Sequence, residues 1–265
     1  LKSPEDFHRL TLEILENCAQ NGAIYVESFL SPDFCGGSDV VAWREYLSAI
    51  QEASATAQAK FGITARGIVT CIRHFGPDLA KASAKCAAET AGDFIVGFGM
   101  GGDESQGKQG DFSYAFDMAR EAKLRLTTHA GEWGGAESVR QAIFDLKVER
   151  LGHGVQVIED PKLIQEVIAR QITLEVCPGS NVFLGVAPSL KEHPIKALYD
   201  QGVRVSISTD DPPFFQTTLT KEYNDLAETF GWDEDTFKAI NLDAIDAAFC
   251  DETTKADLRT KLEEI

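Results

Sequence analysis

The sequence is poor in positive charge. Its 25 Lys and Arg stand against 42 Asp and Glu, a formal net charge of −17 at pH 7. Binding a nucleic-acid backbone draws on clustered Lys and Arg, so no nucleic-acid partner is expected and a neutral small molecule suits the balance better. Long apolar runs are missing as well. Phe94 to Met100 is typical of those present, far short of the roughly 20 residues a membrane-spanning helix needs. No basic stretch followed by an apolar one opens the chain, so no membrane is expected and the protein reads as soluble and cytoplasmic. None of the six cysteines (Cys18, Cys35, Cys71, Cys86, Cys177, Cys250) forms a C-x-x-C pair. That excludes the usual structural zinc and redox motifs and leaves nitrogen and oxygen as the expected ligands of any metal. Linkers, low-complexity tracts and internal repeats are also lacking. The 265 residues, 43% of them hydrophobic, therefore read as a single domain over 1–265.

What is present is an alternation. Ser3, Pro4 and Glu5 form a helix start, with Ser as N-cap, Pro at the first helical position and an acid in the first turn; the helix should run to about Gln20. A β-rich run, Ala23 to Leu30, follows. Helices are then predicted near 41–60, 77–89, 112–122, 138–146, 161–169 and 194–201. Between them lie short apolar runs at 63–72, 94–100, 124–129, 150–155, 172–177 and 203–208, and closing helices at 218–230, 233–248 and 253–264. Strands alternating with helices imply parallel pairing with helices outside, either an open doubly wound sheet or a closed (β/α)8 barrel. The predicted fold is α/β, a (β/α)8 TIM-type barrel with seven strands counted. An eighth would belong before the first helix, and because residue 1 is Leu, a missing upstream strand is expected. The strand over 23–30 should then present an open edge.

Polar groups gather where these strands end, the end at which parallel α/β folds place their sites. They are Gly101-Gly102-Asp103-Glu104, His129-Ala130-Gly131-Glu132, Gly152-His153-Gly154 and Ser208-Thr209-Asp210-Asp211-Pro212. Each alone reads as an ordinary turn; four at the same end of one set of strands point to a site. His129 and Asp210 offer a nitrogen and a carboxylate oxygen suited to a catalytic zinc, although such a zinc usually takes three protein ligands. His153 or the missing strand would have to complete the set. Glu132, three residues beyond His129, is placed to donate a proton. His153 could orient or deprotonate a metal-activated water. Trp133 could wall a pocket or simply pack, Phe214 and Phe215 could form a lid or join the core, and His74 reads as structural.

The ordered set His129-Ala130-Gly131-Glu132, Leu151-Gly152-His153-Gly154, Cys177-Pro178-Gly179-Ser180-Asn181 and Thr209-Asp210-Asp211-Pro212 resembles the adenosine deaminase family over essentially the whole chain. Tyr25-Val26-Glu27 and Gly101 to Glu104 add to the likeness. The resemblance implies one Zn2+ per chain held by His129 and Asp210, with Glu132 protonating purine N1 and His153 positioning the hydroxide that attacks C6. It further implies that Asp211 bonds N7 and that the Gly102 backbone donates to N3. The implied reaction is deamination of adenosine to inosine and ammonia, the partner a small-molecule purine nucleoside. Three features depart from the family. Its first-strand His-x-His pair is absent among the five histidines, Phe29 stands where some members carry Arg, and Gly179 replaces a common Thr, which should merely loosen that turn. The alternatives are an adenine deaminase, a metal-depleted purine-binding protein, and a metallohydrolase acting on another amide or ester. No feature of the sequence reports an oligomeric state.

Overall fold

The computed structural model describes residues 1–264. Its backbone forms two compact units, Leu1–Thr127 and the chain from Thr128 onward.

In the first unit, α1 (Pro4–Gln20) starts as the sequence dictates. The Ser3 hydroxyl accepts from the Asp6 N–H, and the Asp6 carboxylate accepts from the Ser3 N–H in return, a reciprocal cap that satisfies two otherwise orphaned donors. β1 (Tyr25–Leu30) follows, then α2 (Val40–Phe61), capped by the Asp39 carboxylate and closed by Gly62 in the left-handed region. Next come β2 (Thr64–Ile72), α3 (Pro77–Thr90), β3 (Ile95–Gly101), α4 (Ser113–Glu121) and the opening residues of β4 (Arg125–Ala130). β1 runs parallel to β2 with Tyr25 opposite Thr64 and Leu30 opposite Val69; β3 joins β2, and Phe98 of β3 pairs with Leu126 of β4. Leu15 of α1, Ala57 of α2 and Ile63 and Ala65 beside them bury one hydrophobic cluster. A second layer holds Phe98 edge-on to Phe116, ring centroids 5.2 Å apart, with Trp43, Ile68 and Val69 also buried.

The second unit continues with α5 (Gly135–Gln141), β5 (Arg150–His153), α6 (Pro161–Ala169), β6 (Thr173–Val176), α7 (Pro178–Phe183), α8 (Ile195–Asp200), β7 (Arg204–Ile207), α9 (Pro212–Phe215), α10 (Leu219–Phe230), α11 (Glu234–Ala247) and α12 (Glu252–Glu263). β5 pairs parallel with β6, and β6 with β7, Thr173 lying opposite both Arg150 and Arg204. Leu151, Leu174 and Val205 on these strands are fully buried. Beneath them the Arg150 guanidinium is clamped by Glu175 at 2.7 Å and lies over the Phe249 ring at 3.5 Å, so this buried charge is both paired and stacked.

The seven strands follow one another in the order β1 to β7. This is the α/β TIM-type fold that the alternation predicts, and no eighth strand occurs among the described residues. Several local expectations differ. The helix expected over 138–146 begins at Gly135 and opens into a π-helical turn at Ala142–Leu146. β5, β6 and β7 have four residues each where six were expected. α7 and α9 lie where Cys177-Pro178-Gly179 and Asp211-Pro212 read as turns; proline at the first helical position starts both. No helix among the described residues is long and apolar enough to cross a membrane. None of the six cysteines is in a disulfide, and burial pushes the Cys35 thiol up to about 12 and the Cys86 thiol to about 11.

Candidate active site

The second unit brings five of the six expected residues together at its strand ends. His129 stands near the end of β4, half-buried. Glu132 lies in the turn that follows and is buried despite its charge; the turn is tied down where Gly131 O accepts from the Gln156 N–H at 2.9 Å. His153, 2% exposed, ends β5, and its Nε2 lies 3.6 Å from Glu132 Oε2 and 3.8 Å from Asp210 Oδ2. The His129 and His153 rings meet edge to face, centroids 5.0 Å apart. Asp210 follows β7, and its Oδ2 accepts from Ser180 Oγ at 2.7 Å.

Backbone conformation marks the same residues. His153 and Asp210 adopt φ of +58° and +59°, the left-handed region that costs a non-glycine residue on the order of 1 kcal/mol. His153 is the last residue of β5, and Asp210 lies three positions past the end of β7. Gly152 is required for a different reason. A Cβ there would lie 2.7 Å from His129 Nδ1 and 3.1 Å from its Cγ, so the glycine is the floor of the cradle in which the His129 ring lies.

These residues fit a metal of the kind the resemblance implies. His129 offers an imidazole nitrogen and Asp210 a carboxylate that is oriented by the Ser180 hydroxyl, the outer-layer support that metal ligands require. Among the described residues, ligand atoms of His153, Cys177 and Asp210 all lie within 4.8 Å of one another. Cys177 is the poor member of that group. Burial, and then the carboxylates of Asp210, Glu175, Glu222 and Glu132, push its thiol far above its ordinary value, and a neutral thiol is not a ligand. Asp210 is the better donor of that group, and His129, whose ring meets His153 edge to face, lies outside it.

Asp211 is exposed as a residue. The protein packed around its carboxyl, and then the Asp210 carboxylate, nevertheless push its pKa up, while His129 pulls it down. The sixth expected residue, Gly102, belongs to the first unit. It follows β3 directly with φ +97° and lies against His74, whose Nδ1 accepts from the Asp103 N–H at 3.4 Å. Arg73 holds the following loop by donating to Gln106 O and Gly107 O. Trp133 is 51% exposed and Phe214 75% exposed, so neither is core; Phe215 meets Phe183 edge-on at 5.4 Å.

The residues that position this cluster were not assigned roles from sequence. Ser180 and Asn181 lie inside a quoted motif, but only α7 reveals that they face Asp210 and His153. Asn181 contacts His153 Nδ1 at 3.0 Å and His193 at 3.1 Å. Glu222 accepts from the Gly179 N–H at 2.9 Å and from the Thr217 hydroxyl at 2.6 Å. The expectation that Gly179 merely loosens its turn is wrong: a Cβ there would lie 2.2 Å from Glu222 Oε1. The buried carboxyl of Glu222 occupies the space in which a threonine would place its side chain.

This parallel β/α fold, with imidazoles, a buried acid and a carboxylate gathered at its strand ends, is that of the amidohydrolase-type deaminases, to which its likenesses to known proteins assign it. The chain belongs to the adenosine deaminase family, whose model, described as adenosine deaminase, matches residues 1–265. It is 44% identical over 264 residues to an adenine deaminase of Chelativorans sp. (strain BNC1), covering 100% of this chain and 81% of that protein. Among solved structures it is similar to adenine deaminase from Arthrobacter aurescens, with a TM-score of 0.92 and 29% identity, covering 100% of this chain and 80% of that one. It is also similar to an amidohydrolase from Burkholderia ambifaria with bound Zn, with a TM-score of 0.90 and 28% identity, covering 100% and 74%. These relatives correct the expected substrate. Curated proteins 39% to 44% identical to this chain across nearly all its length are adenine deaminases, so the reading of adenosine as substrate is overturned.

Proposed function

We propose that this protein hydrolyses adenine to hypoxanthine and ammonia. The observation that carries the reading is the 44% identity with an adenine deaminase over the whole chain, joined to the convergence of Glu132, His153 and Asp210 within 3.8 Å contacts. His129 and Asp210 would hold a zinc ion, in keeping with the Zn in a structural relative. When bound, zinc supplies a water that is readily activated near neutral pH.

The remaining work falls to the chain's own groups. Glu132, enclosed and beside His153, delivers a proton to ring nitrogen N1, which makes C6 electrophilic and lets the ring return to aromaticity once ammonia leaves. His153 Nε2 faces Glu132 and Asp210 and orients the attacking oxygen. Ser180 restrains the Asp210 carboxylate to one rotamer. Asp211 bonds the N7 edge, fixing the ring so that C6 meets the attacking group.

The test is ammonia release from adenine and from adenosine in parallel by the purified protein supplied with zinc. Release chiefly from adenine is the expected outcome. Release chiefly from adenosine overturns the reading, and silence with both substrates points to a purine-binding role.

A further inference from the structure

We propose that Asn181 and His193 are positioning residues that hold the ring proton of His153 on Nε2, so that His153 acts as a hydrogen-bond donor in the site and not as its base. The inference rests on the reading of His153 as a member of a deaminase site, and it concerns which way that ring works.

The argument starts from a group whose role is fixed. The Ile195 backbone N–H can only donate, and it points at His193 Nδ1 at 3.1 Å; Nδ1 therefore carries no proton. Burial lowers the His193 pKa to about 4, so at neutral pH its single proton sits on Nε2. Nε2 then donates to Asn181 Oδ1, 3.1 Å away. With Oδ1 committed to His193, the other end of the amide, Nδ2, faces His153 Nδ1 at 3.0 Å and donates to it. The amide orientation is thus settled by a backbone group two links away, which removes the usual oxygen-for-nitrogen ambiguity. His153 Nδ1 is an acceptor, and the ring's proton lies on Nε2, the nitrogen that faces Glu132 and Asp210.

Burial makes the relay strict. Asn181 is 0% exposed, His153 2% and His193 3%, so any reversed member would leave two donors or two acceptors face to face away from water. With Nδ1 accepting from Asn181 and the ring proton on Nε2, that nitrogen has no lone pair with which to take another proton. It can donate to the attacking oxygen and to the carboxylates that surround it, and the proton of the water must go to a carboxylate instead.

Nitrogen-15 NMR of the histidine rings at neutral pH, on the metal-free protein and on the zinc-loaded protein, reads the tautomer directly. The expected spectrum of His153 has a pyrrole-type Nε2 and a pyridine-type Nδ1; an Nδ1–H tautomer in the wild-type protein overturns the proposal. Asn181→Asp keeps the shape and removes the donor to His153. It should move the His153 proton to Nδ1 and lower kcat for adenine on the order of 100-fold or more, with KM changed by less than about threefold. His193→Phe should loosen the amide and lower kcat likewise, and His193→Gln, whose amide can accept from Ile195 and donate to Asn181, should restore most of that loss. Wild-type tautomer and kcat in Asn181→Asp would overturn the proposal. If the wild-type protein releases no ammonia from adenine, the substrate reading fails while the NMR result still decides the tautomer.

Discussion

At the scale of single residues, the site depends on atoms that are not there. Gly152→Ala would drive a methyl into the His129 ring, 2.7 Å from Nδ1. If His129 holds zinc as proposed, displacing its ring weakens metal binding more than folding, and zinc affinity should fall about 10- to 100-fold, measured by competition with a chelating dye, while the melting temperature changes little. His193 supplies a second test. Its folded pKa of about 4 lies below the ordinary 6.5, so the unfolded chain binds more protons between those values. The stability it contributes is present above pH 6.5 and lost as pH falls toward 4, on the order of 3 kcal/mol in all. Glu222, whose pKa burial raises, contributes the opposite slope. Urea midpoints from pH 7 to pH 5 should therefore be compared with those of His193→Gln, in which the acid-side decline is shallower. Both residues show what sequence can convey. His129, Glu132, His153 and Asp210 are legible because they lie in or within three residues of apolar runs, whereas nothing near His193 signals a partner 12 positions earlier.

At the scale of elements, α7 is the informative case. Its sequence reads as a turn because Pro178-Gly179 has every local mark of one, and the group that accepts its first free N–H, Glu222, lies 43 positions away on α10. A cap supplied from so far along the chain leaves no local pattern. The strands and the long helices, by contrast, carry their own apolar periodicity and capping residues, as Ser3 and Asp39 do, and fall close to where the sequence predicts. Gly179→Thr should clash with the Glu222 carboxyl and destabilise the protein by about 1–3 kcal/mol. Glu222→Ala should cost about 1–3 kcal/mol through the two donors it strands. Joined, the two changes should cost clearly less than their sum, because the smaller residue vacates the space the threonine needs. A double-mutant cycle by thermal melting measures that coupling, and strict additivity would show that the two positions do not compete for the same volume.

At the scale of the molecule, the cores and the chemistry lie in different layers. Leu151, Leu174 and Val205 are sealed within the strands, and the imidazoles and carboxylates stand beyond them where the strands end. Removing metal with a chelator should therefore abolish deamination and leave the circular dichroism spectrum unchanged, with activity returning when zinc is restored; loss of helical signal on chelation would show the ion to be part of the core. The alternating α/β order was legible over the whole chain because it repeats one physical requirement, a parallel strand covered by a helix. Choice between a nucleobase and a nucleoside was not: the motifs resemble adenosine deaminases, and only the curated relatives, which are adenine deaminases, separate the two substrates.

The buried thiols carry a practical consequence. Cys35, Cys71, Cys86 and Cys177 are enclosed and held protonated at neutral pH, and alkylating reagents attack the thiolate. A single cysteine placed at an exposed position such as Lys238 should outpace these four in reaction with a maleimide fluorophore. Mass spectrometry would count the labels, and the enzyme could then be tethered or followed by fluorescence with its own sulfur atoms left in place.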